Sequence, residues 1–251
     1  MTVSNGSYFK FMKIWIKSLY DKVNLENIQN IYIIDTGLEE QHREYLSFFK
    51  KVKIIETEIK SKFTELHGKG WQESNYSKLP VIRRVLKKEE IPTYFIDVDC
   101  LFIQDFYRLL DFSKDFVICD TSDRLEACST RFIGSFYGFN NLKCLDFIDE
   151  WYNTILNSDK IKQKWRESPA LTICYSKNKN DYSFQILDEG NISSSMYSPP
   201  EKEKFIMHMK SEGAYGYGTQ EERLRMPHVI GKLSRYIDRG EILENVQLYS
   251  Q

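Results

Sequence analysis

Short apolar runs that end in aspartate, separated by amphipathic segments, constrain the fold of this chain more than any other feature. IYIID (31–35) and TYFIDVD (93–99) are such runs, and VKIIETE (52–58) is a third apolar run between them. GLEEQHREYLSFFKK, which follows Asp35, carries its apolar residues at helical spacing. Apolar runs that alternate with amphipathic helices are typical of buried parallel strands. The pattern predicts a single-domain α/β fold with a mainly parallel central sheet flanked by helices.

The remaining elements extend this alternation. An extended piece over residues 2–4 and an amphipathic helix after it open the chain. NYSKLPVIRRVLKKEE (75–90) predicts a helix with Pro80 in its first turn, where proline is tolerated. Strands are also predicted at 115–120, 132–139 and 205–209, a helix at 142–156, and a mostly helical tail from Thr219.

Polar residues fall at the ends of several of the predicted strands. Val3 and Ser4 end the first strand, Asp35 ends the second, and Asp97 and Asp99 end the fourth. In open α/β sheets, ligands bind beyond the C-terminal ends of the strands. We therefore expect these residues to converge on one ligand site.

Composition excludes several classes of protein. The 251 residues carry 35 basic and 36 acidic side chains, so no global positive field is available to hold nucleic acid. No stretch approaches the roughly 20 apolar residues of a transmembrane helix, and the N-terminus lacks a signal-peptide core. Five scattered cysteines without a CxxC pair are typical of reduced thiols. We expect a cytoplasmic protein with no nucleic-acid partner and no transmembrane segment.

The two aspartates of YFIDVDCLF pose an electrostatic problem, because neighbouring carboxylates repel each other unless something neutralises them. If the strand continues through Asp99, both side chains share one face. A Mg²⁺ or Mn²⁺ ion could then bind both, and could also hold phosphate oxygens of a nucleoside diphosphate. The alternative is an exposed turn with two solvated acids, which the apolar residues on both sides argue against.

A series of segments resembles nucleotide-sugar glycosyltransferases with the GT-A fold, a Rossmann-like α/β fold. YFIDVDCLFIQDFYRLL resembles their DxD segment, and FIMHMKSEGAYG resembles their late strand. The segments SNGSYFKFMKIWIKSL, IYIIDTGLEEQHREYL and NYSKLPVIRRVL resemble the earlier parts of that fold in the same order. The resemblance covers roughly residues 1–215. It implies one domain over 1–251, with a nucleotide-binding part at about 1–112, an acceptor-side part at about 113–215 and a helical tail at about 219–251.

The resemblance also implies roles for individual residues. Asp97, Asp99 and His208 would bind the metal, and an imidazole ligand favours Mn²⁺ over Mg²⁺. Glu167, which precedes an apolar segment, would remove the acceptor hydroxyl proton in an inverting enzyme. The Glu-Ser pair at that position departs from the acid followed by Gln or Glu that is more usual in the family. The donor would be bound by Val3, Ser4, Tyr8, Asp35, Lys78, Asp97, Asp99 and Lys210.

Several of these residues also have a purely structural interpretation. Asp35 could form an Asx turn or cap the next helix, and Tyr8 could pack at the edge of the core. His208 could be a structural histidine within an apolar strand. Lys78 and Lys210 could simply be solvated.

The expected reaction is metal-dependent transfer of a sugar from a nucleoside diphosphate sugar, in particular a UDP-sugar, to a hydroxyl of a glycan, glycolipid or glycoprotein. A haloacid dehalogenase-type phosphatase is one alternative, although its DxD motif normally opens the chain and is followed by a small hydroxyl residue. A sugar nucleotidyltransferase is another, but it would need a Gly-rich basic signature near the N-terminus. The third alternative is a non-catalytic nucleotide-sugar-binding protein.

Overall fold

The computed structural model describes residues 1–58, 69–120, 131–157, 167–192 and 203–208, which contain nine strands and six α-helices. The strands are β1 (Thr2–Ser4), β2 (Ile31–Asp35), β3 (Val52–Glu56), β4 (Thr93–Ile96), β5 (Cys100–Phe102), β6 (Phe116–Asp120), β7 (Phe132–Phe139), β8 (Phe184–Asp188) and β9 (Ile206–His208). The helices are α1 (Phe9–Lys22), α2 (Glu40–Ser47), α3 (Lys69–Glu89), α4 (Cys144–Asn157), α5 (Glu167–Asn178) and α6 (Glu189–Ile192). The predicted C-terminal tail lies outside the described residues, and no described helix has the length and apolar character that crossing a membrane requires.

The central sheet is formed by two groups of strands that meet at β1 and β4. β1, β2 and β3 are parallel, and the second group has the order β4-β7-β6-β8. A hydrogen bond from Ile96 N to Met1 O (2.9 Å) links the two groups. The predicted α/β fold, with a parallel sheet flanked by helices, is confirmed.

Within this mainly parallel sheet, as far as the structure describes it, β7 is the antiparallel strand. β7 is antiparallel to both β4 and β6, whereas β6 and β8 are parallel. β6 ends at Asp120 and β7 begins at Phe132, which leaves too short a connection for the helical crossover that a parallel pair needs. The apolar pattern of FIGSFYGF predicts a buried strand but does not reveal its direction.

Alternate residues of the sheet pack into two hydrophobic clusters, one on each face. In β6, Phe116 and Ile118 join the cluster that also contains residues of α3, α4 and α5, whereas Val117 and Cys119 join the cluster around α1. In β4, Phe95 belongs to the first of these clusters and its two neighbours belong to the second. Because side chains alternate along a strand, a sheet covered on both faces needs continuous apolar runs, as the sequence predicts.

Helix α3 begins earlier than predicted. It starts at Lys69, so Pro80 lies within the helix and not in its first turn. Proline removes one backbone donor from the helix interior, and the predicted start at residue 75 was wrong because a proline seldom occupies such a position. The longer helix carries Ser77, Lys78 and Leu79 into the buried interior beside the sheet.

Candidate functional site

The two aspartates of the DxD segment lie in a turn, not on a continuous strand. β4 ends at Ile96 and β5 begins at Cys100. Asp97 N donates a hydrogen bond to Ser135 O of β7 (2.9 Å), and Cys100 N donates to Asp97 O (3.2 Å). The strand does not continue through Asp99, so the condition under which the two side chains would share one strand face is not met. The turn places both at the C-terminal end of β4, the edge at which a ligand site was expected.

His208 reaches the turn from the far end of the sequence. β9 pairs antiparallel with β5, and Cys100 lies directly opposite His208 in this pairing. The His208 Nε2 atom is 3.2 Å from Asp99 Oδ1 and 4.0 Å from Asp97 Oδ2. The structure thus brings together the three residues for which a metal was predicted, although residues 99 and 208 are far apart in sequence.

Lys78 and Glu167 extend this arrangement on the other side of Asp97. Lys78 Nζ is 3.7 Å from Asp97 Oδ1 and 2.8 Å from Glu167 Oε1. The side chains Glu167, Lys78, Asp97, His208 and Asp99 therefore form a continuous row of contacts, which we call the charged row. It contains three carboxylates and one ammonium group, so two negative charges remain when the three acids and the lysine are ionised and the imidazole is neutral. A divalent cation would balance that charge.

The carboxylate oxygen of Asp99 and the imidazole nitrogen of His208 have the spacing of neighbouring ligands of Mn²⁺ or Mg²⁺. Adjacent ligand atoms of an octahedral Mg²⁺ site lie about 3 Å apart, close to the 3.2 Å between Asp99 Oδ1 and His208 Nε2. Asp97 is more distant, at 4.0 Å from the imidazole. The carboxylate and imidazole set suits Mn²⁺ better than Mg²⁺, which prefers oxygen ligands.

Lys78 is buried, with only 1% of its side chain exposed. Its ammonium group lies 4.0 Å from the centre of the Phe95 ring and 5.6 Å from that of Tyr137, on the sheet surface between the two acids. Burial of an ammonium is tolerable here because two carboxylates and two aromatic faces surround it. The structural interpretation of Lys78 as a solvated lysine is wrong, whereas a contact with donor phosphate stays a prediction.

Glu167 is the first residue of α5, and its helix is fixed against the sheet. Gly134 N of β7 donates to Ser168 Oγ (3.1 Å), and Trp151 Nε1 donates to Glu167 O (3.0 Å). The Glu167 carboxylate rests on Gly134 so closely that a Cβ atom there would lie 2.8 Å from Glu167 Cδ. Glycine at position 134 therefore makes room for this side chain.

Burial raises the pKa of the Glu167 carboxyl group to about 7. The nearby Lys78 ammonium opposes this shift, while the charge of Asp97 adds to it. The neighbouring Tyr137 hydroxyl has its pKa raised well above the ordinary value, chiefly by burial and next by the charge of Glu167. A carboxyl group with a pKa near neutrality can exchange a proton at physiological pH.

Asp35 makes the contacts of the Asx turn that was the structural alternative to donor binding. Its Oδ1 atom accepts hydrogen bonds from Gly37 N and Leu38 N (both 2.7 Å), which is an Asx turn leading into α2. Its Oδ2 atom lies 2.5 Å from Arg43 Nη2, and the side chain is completely buried. These contacts explain the residue without a ligand, and its role in donor binding stays a prediction.

The structure describes most of the other residues that were predicted to bind the donor. Val3 and Ser4 end β1, and Ser4 O accepts a hydrogen bond from Thr36 N (3.0 Å). Tyr8 directly precedes α1, with its ring 6.0 Å from that of Phe11. Lys210 lies outside the described residues. Their predicted roles remain predictions.

Sequence reasoning missed three residues that shape the site: Cys100, Gly134 and Tyr137. Cys100 directly follows the DxD segment, and a thiol beside two acids is a signal that could have been weighed. Gly134 interrupts the apolar run FIGSFYGF, and a glycine within a strand often marks the close approach of another group. Nothing in the sequence distinguishes Tyr137 from the other aromatic residues of that strand.

Comparison with known proteins supports the fold. No protein-family model matches the chain, and no curated protein matches it. Among solved structures, it resembles the apo form of the bifunctional glycosyltransferase WbbM (12% identity, TM-score 0.55), covering 83% of this chain. This chain spans less than half (45%) of that enzyme. It also resembles the galactosyltransferase LgtC in complex with donor and acceptor sugar analogues (11% identity, TM-score 0.55), covering 92% of this chain and 94% of LgtC. The chain therefore has the fold of these glycosyltransferases.

Proposed function

We propose that this protein is a metal-dependent glycosyltransferase that moves a sugar from a nucleoside diphosphate sugar to a hydroxyl group. The observation that carries the proposal is the charged row, which lies at the C-terminal end of β4. Three carboxylates, a buried lysine and a histidine meet there, drawn from α3, α5, β9 and the turn after β4. So many ionisable groups are costly to bury together. Binding of a metal ion and a charged phosphate at this site would explain why they are buried together.

Asp99 and His208, together with Asp97, are the residues that would hold Mn²⁺ or Mg²⁺. The bound ion would neutralise charge on the departing diphosphate. His208 is held by the β5–β9 pairing, and the turn that carries Asp97 and Asp99 is held by Ser135. Because the main chain fixes both sides of the metal site, little reorganisation is needed when the ion binds.

Glu167 is proposed as the group that removes the proton from the acceptor hydroxyl. Its pKa of about 7 lies near the working pH, which is the most effective range for a general base. The Lys78 ammonium at 2.8 Å favours the ionised form that a base requires. This role applies to an inverting reaction; in a retaining reaction, the leaving phosphate oxygen would take the proton instead.

A UDP-sugar is the proposed donor, and a glycan or glycoconjugate hydroxyl is the proposed acceptor. The complex of LgtC with donor and acceptor sugar analogues, which shares this fold over nearly its whole length, supports a site of this kind. The cytoplasm is the proposed compartment.

The proposal is tested by thermal unfolding of the protein with UDP, GDP or CMP, each with Mn²⁺ and with EDTA. We expect one diphosphate to raise the melting temperature in Mn²⁺ only, because a ligand that binds the folded state stabilises it. Incubation with the corresponding nucleotide sugar should then release the nucleotide, faster when an acceptor is present. Stabilisation by phosphate or vanadate alone would instead indicate a phosphatase. Tight binding of a nucleotide sugar without turnover on any acceptor tested would indicate a binding protein.

A further inference from the structure

Cys100 lies beside the proposed metal ligands, and the proposed function gives its thiol no role. Within the described residues, Asp99, Cys100 and His208 form a compact group. One oxygen, one sulfur and one nitrogen atom of these side chains all lie within 4.8 Å of one another. Asp97, which contacts Lys78 at 3.7 Å, is not part of this compact group. The closest set of donor atoms at the site thus includes sulfur.

The main chain holds these three residues together. Cys100 and His208 are directly opposite in the antiparallel β5–β9 pair, and directly opposite residues present their side chains on the same face. Asp99 precedes Cys100 in the turn, which the hydrogen bond from Cys100 N to Asp97 O closes. Cys100 and His208 are both buried, and the Asp99 side chain is only 13% exposed.

A carboxylate, a thiol and an imidazole form a donor set for a borderline-soft cation. Zn²⁺ binds these three ligand types at about 2.0–2.3 Å and is commonly held by three protein ligands with one further position open. Mg²⁺ takes oxygen ligands and has little use for sulfur. Adjacent ligands of a tetrahedral Zn²⁺ lie about 3.5 Å apart, so donor atoms that lie within 4.8 Å of one another need to approach by about 1.3 Å at most.

We propose that Asp99, Cys100 and His208 bind Zn²⁺ through one oxygen, one sulfur and one nitrogen. On binding, the Cys100 thiol gives its proton to solvent and the sulfur forms the metal bond as thiolate. The two negative charges of Asp99 and Cys100 then balance the ion. Because Asp99 and His208 are shared with the proposed Mn²⁺ or Mg²⁺ site, Zn²⁺ excludes the catalytic ion and inhibits the enzyme. Zinc binding stands on the geometry alone, whereas inhibition rests on the proposed function.

The alternative is that Cys100 belongs solely to the apolar core, since it packs in the same cluster as Leu101 and Phe102. Cobalt distinguishes the two interpretations, because Co²⁺ occupies zinc sites and thiolate ligation gives a near-ultraviolet charge-transfer band. We expect the full chain to give this band at one equivalent of Co²⁺, and Zn²⁺ to abolish it by displacement. Cys100→Ser should remove the band and weaken Zn²⁺ binding at least tenfold.

Cys174→Ser is the matched control, since Cys174 is also a buried free thiol but lies on α5, where its Sγ contacts Thr154 Oγ1 (3.4 Å). The band should survive this substitution. X-ray absorption of the zinc-loaded wild-type protein, which does not depend on the folding of a variant, should show one sulfur at about 2.3 Å. Absence of sulfur, or a cobalt band that persists in Cys100→Ser, overturns the proposal.

The outcomes also separate this inference from the proposed function. A wild-type protein that binds UDP with Mn²⁺ but gives no cobalt band refutes the zinc site alone. A wild-type protein that gives the band but binds no nucleotide with any metal refutes the transferase and leaves the zinc site standing.

Discussion

The ends of β2 and β4 both carry aspartate after a similar apolar run, yet these aspartates have different contacts. At the end of β2, the Asp35 carboxylate is completely buried and contacts Gly37 N, Leu38 N and Arg43. At the end of β4, Asp97 and Asp99 are 29% and 13% exposed, and they contact the titratable or cationic side chains of His208 and Lys78. Position at a strand end is therefore not enough to identify a ligand-binding acid.

What distinguishes the two sites is the kind of partner that each carboxylate has. Two backbone amides and a guanidinium hold the Asp35 carboxylate. The partners at the β4 end are groups that a metal or a phosphate can replace or share. The first arrangement stabilises the fold without a ligand, and the second leaves negative charge for a ligand to balance.

The largest expected effect concerns turnover. Glu167→Gln should lower kcat by about 10²–10⁴-fold if Glu167 is the base, while the dissociation constant for UDP in Mn²⁺ stays nearly unchanged. Glu150→Gln is the control, because Glu150 also pairs with a lysine, Lys177 (3.3 Å), but lies on α4 away from the charged row. Steady-state kinetics and calorimetry measure the two quantities. An unchanged kcat in Glu167→Gln removes this role.

The two strand ends should differ next in their contribution to stability. Asp35→Ala leaves the amides of Gly37 and Leu38 without their carboxylate acceptor, so we expect a loss of about 2–4 kcal/mol. Asp99→Asn, measured without metal, should change the free energy of unfolding little or increase it, because one of several neighbouring acids is neutralised. Urea denaturation in EDTA measures both. Equal losses in the free energy of unfolding of the two variants would contradict the proposed difference between the two sites.

A smaller effect is expected in the pH dependence. The pKa of Glu167 is raised to about 7, so the carboxyl group is mostly protonated below pH 7 and gains base function as the pH rises. If the reaction depends on this base, kcat at pH 6 should be about one-tenth of its plateau value above pH 8. The rise should be missing in Glu167→Gln. A wild-type profile that is flat between pH 6 and 8 argues for a mechanism without this base.

Much of the fold could be predicted because it depends on local patterns. β1, β2 and β7 have the predicted bounds, since each is an apolar run with clear ends. The direction of β7 and the start of α3 could not be predicted, because they depend on which strands pair and on how a proline is accommodated within a packed helix. Both the direction of β7 and the start of α3 depend on tertiary contacts.

The candidate site was predicted in its residues but not in its geometry. Asp97 and Asp99 were expected to share a face if their strand continued, and His208 was expected at the same metal by resemblance. A turn and the β5–β9 pairing bring the three residues together instead. The sequence could not show that Lys78 is buried between two acids, because most lysines are solvated. Nor could it show that Arg43 pairs with Asp35, because the sequence does not reveal how α2 packs against β2.

The most direct test of the central claim is titration of UDP into the wild-type protein and into Asp99→Asn, in Mn²⁺ and in EDTA. The account predicts that the wild-type protein binds UDP in Mn²⁺ and at least tenfold more weakly in EDTA, and that Asp99→Asn in Mn²⁺ behaves like the wild-type protein in EDTA while keeping its fold. Equal, metal-dependent binding by Asp99→Asn would contradict the claim that the acids after β4 hold a cation for the diphosphate.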